Sequence, residues 1–282
     1  MNTALQIRPM RRDELDLGID WAAAEGWNPG LHDADSFHAT DPGGFLMAHL
    51  GDEPVGMVSA VAYGGGFGFL GFYLVRPAWR GHGHGLALWQ AAMARLAGRV
   101  VGLDGVVAQQ ANYRKSGFVL AWNNMRWQGP AVDHGPPAPG IAAATPTDSD
   151  ALLACDAPLF PADRRGFMRH WLTQTGSRVQ VARVDGAVAG FGVVRPCRQG
   201  WKIGPLVADA PARADALYRA LVSSVPPGDP VQLDVPAPQA EAVALARRHG
   251  LQPVFETARM YAGPAPALPM QRLFGITTLE LG

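Results

Sequence analysis

The sequence of this 282-residue chain repeats one order of secondary-structure signals on either side of a stretch rich in proline and glycine. That stretch, GPAVDHGPPAPG at residues 129–140, has no apolar periodicity and is typical of a semi-rigid linker. Each half carries a hairpin signal, in which two apolar runs flank a short turn. The paired runs are residues 45–50 and 55–61, and then 179–184 and 187–194. The repeat predicts two copies of one α/β unit.

The parallel between the halves continues beyond the hairpins. LDGVV at 103–107 matches LDVP at 233–236, and YRKSGF at 113–118 matches ARRHGL at 246–251, where glycine closes a helix. Each copy reads as a strand, two helices, three antiparallel strands, a helix, a strand, a helix and final strands. This order predicts an α/β (α+β) fold class, with a mixed, mainly antiparallel sheet flanked by helices in each domain.

The repeat also predicts the domain boundaries. We expect an N-terminal domain at 1–129, a linker at 130–140 and a C-terminal domain at 141–264. The remaining tail, residues 265–282, ends in strand-like alternation and is expected to dock on a sheet edge.

A glycine-rich turn at residues 75–85, VRPAWRGHGHG, connects an apolar strand to a helix. Glycine at every second position lets the backbone curl tightly and approach a ligand closely. Because the turn opens a helix, its free N–H groups and the helix dipole favour a phosphate or pyrophosphate. The spacing is neither G-x-G-x-x-G nor that of a P-loop. The alternative is a turn whose glycines serve geometry alone.

The pattern Arg-x-x-Gly-x-Gly, formed by Arg80, Gly83 and Gly85 after Val75-Arg76-Pro77, resembles motif A of the GNAT superfamily of N-acetyltransferases. A second marker of that family is a tyrosine four residues before a Gly-Phe pair, as in Tyr113 and Gly117-Phe118. The resemblance extends over nearly the whole chain as a tandem pair. It implies acetyl-CoA as cosubstrate, with its pyrophosphate at the glycine turn, and no metal.

The resemblance also implies roles for individual residues. Tyr113 would be the general acid that protonates the leaving thiolate, since a tyrosine stays protonated at neutral pH; the alternative is an aromatic anchor for its helix. Glu25 and Asp104 are candidates for a base or for substrate contacts, although capping or surface roles fit them equally and a neutral amine could attack unaided. The expected cofactor contacts are Tyr73, Val75, Arg80, Gly81, His82, Gly83, His84, Gly85 and Asn112. The two histidines could otherwise be ordinary solvent-facing loop residues.

The second copy lacks these markers. When Val75 is aligned with Val207, residues 212–217 (ARADAL) stand opposite the glycine turn, and Asp215 falls where phosphate would bind. Ala246 replaces the tyrosine. We therefore expect a degenerate C-terminal domain that binds no cofactor of its own and shapes the acceptor site.

Composition limits the partners. The formal net charge is zero and no apolar run reaches the roughly 20 residues that span a bilayer, so neither nucleic acid nor a membrane is expected as a partner. Two distant cysteines, Cys155 and Cys197, and the absence of a signal-peptide pattern favour the cytoplasm. The expected function is acetyl transfer to an amine of a small molecule or peptide, in a monomer or homodimer. The alternatives are a non-catalytic acyl-CoA sensor or scaffold, and a longer acyl donor.

Overall fold

The computed structural model describes residues 4–282, and within them both halves form the same ten elements in the same order. The first half comprises β1 (Leu5–Pro9), α1 (Arg12–Ala24), α2 (Asp33–Thr40), β2 (Phe45–Leu50), β3 (Glu53–Tyr63), β4 (Phe67–Val75), α3 (His84–Arg95), β5 (Val100–Val106), α4 (Gln110–Lys115) and β6 (Phe118–Pro130). The second comprises β7 (Ile141–Ala143), α5 (Ser149–Asp156), α6 (Arg165–Leu172), β8 (Arg178–Val184), β9 (Ala187–Pro196), β10 (Trp201–Ala208), α7 (Pro211–Val222), β11 (Pro230–Pro236), α8 (Ala240–Arg248) and β12 (Gln252–Ala262). A short strand, β13 (Leu273–Gly275), follows. The predicted fold class is confirmed.

The strands described within residues 4–282 form one continuous sheet, and the halves exchange strands at its centre. The order is β1-β2-β3-β4-β5-β12-β6-β11-β10-β9-β8-β7, with β13 paired to β10. Strand β12 of the second half pairs with β5 of the first, and β6 of the first pairs with β11 of the second. β6 and β12 also pair with each other along most of their length. The sequence repeats at 1–129 and 141–264 therefore do not correspond to two separate sheets.

The helices cover the sheet and place a shared core between the halves. Phe37 on α2 stacks on Trp171 of α6, with ring centroids 6.0 Å apart. Both side chains are fully buried. Burial of aromatic side chains of this size supplies much of the hydrophobic stabilisation of a core. Because this core draws on both halves, each half stabilises the other.

Strands β4 and β5 diverge in the first half. Their parallel pairing ends at Leu70 and Leu103, while β4 remains paired with β3 up to Val75. An irregularity in the β3–β4 register falls at Phe72, whose φ of +44° lies in the left-handed region. A bulge of this kind bends a strand and increases its twist. The bend opens a cleft between β4 and β5.

The second half repeats this divergence, but its cleft is filled. Pairing of β10 with β11 ends at Ile203 and Leu233. Beyond that point β13 pairs with β10, and the Ile276 N–H donates to the Asp234 carbonyl oxygen on β11 at 2.9 Å. A Cβ at Gly204 would lie 2.5 Å from the Thr277 carbonyl oxygen, so glycine allows this close approach.

The expectation that the tail docks on a sheet edge is therefore corrected. β13 lies inside the sheet, because the diverging strands β10 and β11 expose backbone groups that need partners. Residues 273–282 are buried throughout. The predicted linker has no helix or strand between residues 131 and 140. No helix within residues 4–282 has the length and hydropathy needed to cross a membrane.

Candidate active site

A cavity of about 440 Å³ opens where β4 and β5 diverge. Its wall comes mostly from the first half, but β12 and the C-terminal tail of the second half complete it through Phe255, Thr257, Leu279 and Glu280. Of the residues predicted to form the site, the cavity is lined by Glu25, Tyr73, Val75, Arg80, Asp104 and Tyr113. The structure thus brings together residues from distant parts of the sequence at the cleft.

The glycine turn lies beside this cavity. Its three positions require glycine for different physical reasons. Gly81 and Gly83 both have a φ of +83°, and a Cβ at either position would meet no atom within 4 Å. Their role is to give the backbone its left-handed conformation beside open space. Gly83 is the N-cap of α3. At Gly85 a Cβ would lie 2.9 Å from the Tyr73 hydroxyl, so close packing requires glycine there.

The two turn histidines are not among the residues that line the cavity. His82 is exposed and His84 is half-buried, and their rings stack with centroids 5.9 Å apart. His84 also contacts Trp79 at a centroid distance of 6.3 Å. Among residues 4–282 no group of three or more His, Cys, Asp or Glu side chains is placed to hold a metal ion.

Arg80 connects the turn to the end of α1. Its Nε donates to the Val75 carbonyl oxygen at 2.8 Å, and its Nη2 forms an ion pair with Glu25. Both side chains are partly exposed at the mouth of the cavity. Glu25, one of the two predicted candidates for a base, is thus held by the cation predicted to contact pyrophosphate.

Tyr113 lies on the cavity wall at the end of α4. Its ring stacks on Trp89, with ring centroids 5.6 Å apart. Tyr113 is only 7% exposed to solvent. A Cβ at Gly105 would overlap Cε2 of the tyrosine, so this glycine lets the ring lie directly against β5. Burial, with a smaller contribution from Tyr73, raises the pKa of Tyr113 to about 12. The hydroxyl therefore keeps its proton well above neutral pH.

Asp104 is buried in the wall and fully engaged. It accepts from Arg259 Nε at 2.8 Å and Nη2 at 2.5 Å, and from Asn124 Nδ2 at 2.8 Å. Desolvation alone would lower the pKa of Arg259, but the Asp104 carboxylate raises it above its ordinary value. Both carboxylate oxygens already have donors. The contacts of Asp104 are therefore those of a structural ion pair.

Asn112 lies outside the cavity. Its side chain is exposed, donates to Gln109 Oε1 at 2.7 Å and accepts from Lys115 Nζ at 3.3 Å. Gln109, one turn earlier, lines the cavity instead. The predicted contact of Asn112 with the cofactor stays a prediction.

In the second half the matching positions are occupied differently. Helix α7 begins at Pro211 without a glycine turn, and Asp209 forms an ion pair with Arg213 there. Asp215 accepts from Arg248 at 2.8 Å and contacts His249 Nε2 at 2.9 Å. The cleft that would correspond to the cavity contains the tail.

Comparison with known proteins gives the family. The model described as "Acetyltransferase (GNAT) family" matches residues 10–118, and the "Acetyltransferase (GNAT) domain" model matches residues 152–275. A holothin acyltransferase from Pseudoalteromonas sp. (strain SANK 73390) is 32% identical over 275 residues, which cover 98% of this chain and 94% of that protein. The chain is a GNAT acyltransferase.

Solved structures support the fold of this tandem GNAT acyltransferase. A protein from Pyrococcus horikoshii, solved as a candidate acetyltransferase, superposes with a TM-score of 0.83 at 22% identity, covering 99% of this chain and 96% of that one. A tandem GNAT protein from the clavulanic acid biosynthesis pathway gives 0.64 at 17% identity, covering 93% and 100%. At these identities the likeness concerns the fold alone.

The sequence led us to expect that the second half shapes the acceptor site, but it did not indicate which of its residues line the cavity. Phe255 and Thr257 on β12, and Leu279 and Glu280 in the tail, line it although they lie far along the chain from the glycine turn. Their positions depend on the strand exchange and on the path of the tail. No local pattern in the sequence indicates either feature.

Proposed function

We propose that this GNAT acyltransferase transfers the acetyl group of acetyl-CoA to an amine of a small molecule or peptide, and that the first half carries the reaction. One observation supports this most strongly. The cleft between β4 and β5 has the glycine turn at one side and Tyr113 on its wall. The equivalent cleft of the second half is filled by the chain itself.

The residues around the first cleft fit acetyl-CoA. The turn offers backbone N–H groups at the start of α3 beside open space at Gly81 and Gly83, as an anionic pyrophosphate requires. Beyond Leu70 the edge of β4 is free of β5, so the Tyr73 and Val75 backbone can pair with the pantetheine arm. Arg80 adds a cation near the mouth. Bound acetyl-CoA would supply the activated acyl group.

The protein would contribute an acid and a shaped acceptor pocket. Tyr113 keeps its proton and can donate it to the leaving thiolate, while the acceptor enters next to the residues from β12 and the tail. The second half therefore shapes the acceptor side. The similarity to a holothin acyltransferase over nearly the whole chain supports acyl transfer and makes holothin one acceptor to test.

The test combines binding and turnover. Acetyl-CoA should raise the melting temperature of the purified protein, and free thiol should appear when holothin, small primary amines or a short peptide is added. Propionyl-CoA and butanoyl-CoA in parallel determine the preferred acyl length. Binding without thiol release for any acceptor would indicate a sensor or scaffold instead of an enzyme. No thermal shift at millimolar acetyl-CoA would refute the proposal.

A further inference from the structure

The C-terminal segment brings a carboxylate into the cavity. Glu280 lines the cavity although it is only 5% exposed, and residues 273–282 around it are all buried. A buried carboxylate is costly unless it is compensated or used. The surroundings of the Glu280 carboxylate therefore show whether it can bind a molecule in the cavity.

The segment is fixed on both sides of Glu280. Tyr63 donates its hydroxyl hydrogen to the Leu281 carbonyl oxygen at 3.0 Å, and Arg164 Nη2 donates to Thr277 Oγ1 at 3.0 Å. A Cβ at Gly71 would overlap the Glu280 carbonyl oxygen, so the tail lies directly on β4 where this strand leaves β5. These contacts hold the carboxylate at a defined place.

The two carboxylate oxygens of Glu280 have different surroundings. Oε2 accepts a hydrogen bond from the Thr278 hydroxyl. Oε1 accepts no hydrogen bond from residues 4–282. It is not among the fully buried side-chain atoms that lack a partner, so part of its surface is accessible. One oxygen is thus available to a molecule in the cavity.

Three buried cations lie in the surroundings of Glu280. Arg126, Arg195 and Lys202 are near enough for Coulomb attraction to it. Each of them already has its own partner: Arg126 binds Asp234, Arg195 binds Asp33, and Lys202 donates to the Asn28 carbonyl oxygen at 2.8 Å. None of the three cations donates a hydrogen bond to Glu280, so none of them occupies its free oxygen.

The other two carboxylates that line the cavity are less suited to an acceptor. Asp104 has donors on both oxygens, and Glu25 pairs with Arg80 at the mouth. Glu280 lies deeper, beside the apolar Leu279 and Phe255. Near them Thr257 Oγ1 is buried with no hydrogen-bond partner in the described part of the chain.

We propose that Glu280 is a catalytic residue that binds and deprotonates the acceptor, a small primary amine with an apolar body. This inference rests on the proposed function. The amine nitrogen forms a bond to the acyl carbon while the C–S bond breaks. The amine proton passes to Glu280 Oε1, and the CoA sulfur takes its proton from Tyr113. The products are an amide and free CoA. The proton on Glu280 then passes to solvent, and Tyr113 takes up one proton from solvent, so both residues return to their starting states.

The experiment compares Glu280→Gln with Glu241→Gln, which removes a glutamate from the exposed first turn of α8. The probes are acetyl-CoA with benzylamine, holothin and trialanine. Glu280→Gln should lower kcat by about 100-fold or more, because a positioned base contributes on that scale. The acetyl-CoA thermal shift should be unchanged. Added formate should restore part of the activity of Glu280→Ala, an effect that a purely structural role does not give.

Other outcomes separate the two proposals. If the wild type transfers acetyl groups and Glu280→Gln stays within about threefold of Glu241→Gln in kcat, the role of Glu280 is refuted while the acetyltransferase stands. Transfer to trialanine but to neither benzylamine nor holothin overturns the acceptor class. Glu280→Asp is the second variant if Glu280→Gln does not fold. Aspartate keeps the negative charge, but its shorter side chain moves the carboxylate oxygens away from the position of Glu280 Oε1. Full activity of Glu280→Asp therefore also refutes the role. A wild type that releases no thiol contradicts both proposals.

Discussion

Asp104 and Asp234 occupy matching places in β5 and β11, and each is bound by the arginine directly opposite it on an exchanged central strand. Arg259 on β12 faces Asp104, and Arg126 on β6 faces Asp234 with Nε and Nη2 at 2.7 and 2.8 Å. All four side chains are nearly inaccessible to solvent. Although burial alone would raise it, Arg126 holds the pKa of Asp234 below its ordinary value. Each half thus neutralises a buried acid of the other.

Loss of one partner should therefore destabilise the whole chain. Arg126→Met leaves Asp234 buried without its cation and should cost about 3–5 kcal/mol in the free energy of unfolding. Arg213→Met removes an arginine from an exposed pair with Asp209 and should leave the urea midpoint almost unchanged. Urea denaturation followed by circular dichroism measures both. Equal midpoints for the two variants would show that the central pair adds nothing.

The glycine turn should be needed for acetyl-CoA binding. Gly83→Glu adds a side chain and a negative charge at the expected pyrophosphate position, so the thermal shift with acetyl-CoA should disappear. Gly186→Glu is a matched control, because Gly186 has a φ of +82° and open space around it but lies in the β8–β9 hairpin turn. The backbone strain is the same in both variants. Loss of binding in both would indicate a general effect on folding.

The proton of Tyr113 should be available over the usual assay range. With its pKa raised from the ordinary 10 to about 12, the phenol is protonated below that value and loses its proton only as the pH rises through it. Tyr113→Phe should lower kcat by roughly 10²- to 10⁴-fold with little change in acetyl-CoA affinity. The wild-type profile of kcat against pH should show no decline from this residue up to about pH 10. A decline near pH 8–9 that vanishes in Tyr113→Phe would contradict the assignment.

The position of the Tyr113 ring should depend on Gly105. Gly105→Ala places a methyl group where the ring lies, so it should shift the hydroxyl and reduce kcat while acetyl-CoA still binds. Displacements of about 1 Å can lower rates by as much as 10²-fold. Gly65→Ala, in the exposed β3–β4 turn with no atom within 4 Å of its Cβ, is the control. Unchanged kcat in Gly105→Ala would show that ring placement is not critical.

Local signals in the sequence were sufficient for the elements, the turn and Tyr113. Alternation, turn residues and helix caps act over a few residues, so the hairpin of β8 and β9 and the start of α3 followed from them. The strand exchange could not be predicted. β6 and β12 are equivalent in the repeat, so the sequence is equally compatible with pairing of each strand within its own half. The prediction that the tail docks on a sheet edge was wrong for a related reason. Its apolar run indicates a strand but does not show that β10 and β11 diverge to receive it.

The same limit explains the incomplete site. Glu25 and Asp104, the candidates implied by the resemblance, do line the cavity, but their charges are engaged with Arg80 and Arg259. Glu280 reaches the cavity only through the path of the tail over Gly71. Such a contact depends on tertiary structure that spacing in the sequence does not encode.

The central claim is that this tandem GNAT acyltransferase has a single working acyl-CoA site, in its first half. Isothermal titration calorimetry with CoA tests this most directly. We predict one CoA per chain for the wild type and no binding for Gly83→Glu, since β13 and the following residues fill the second cleft. Two CoA molecules per chain, or one that still binds Gly83→Glu, would contradict the claim.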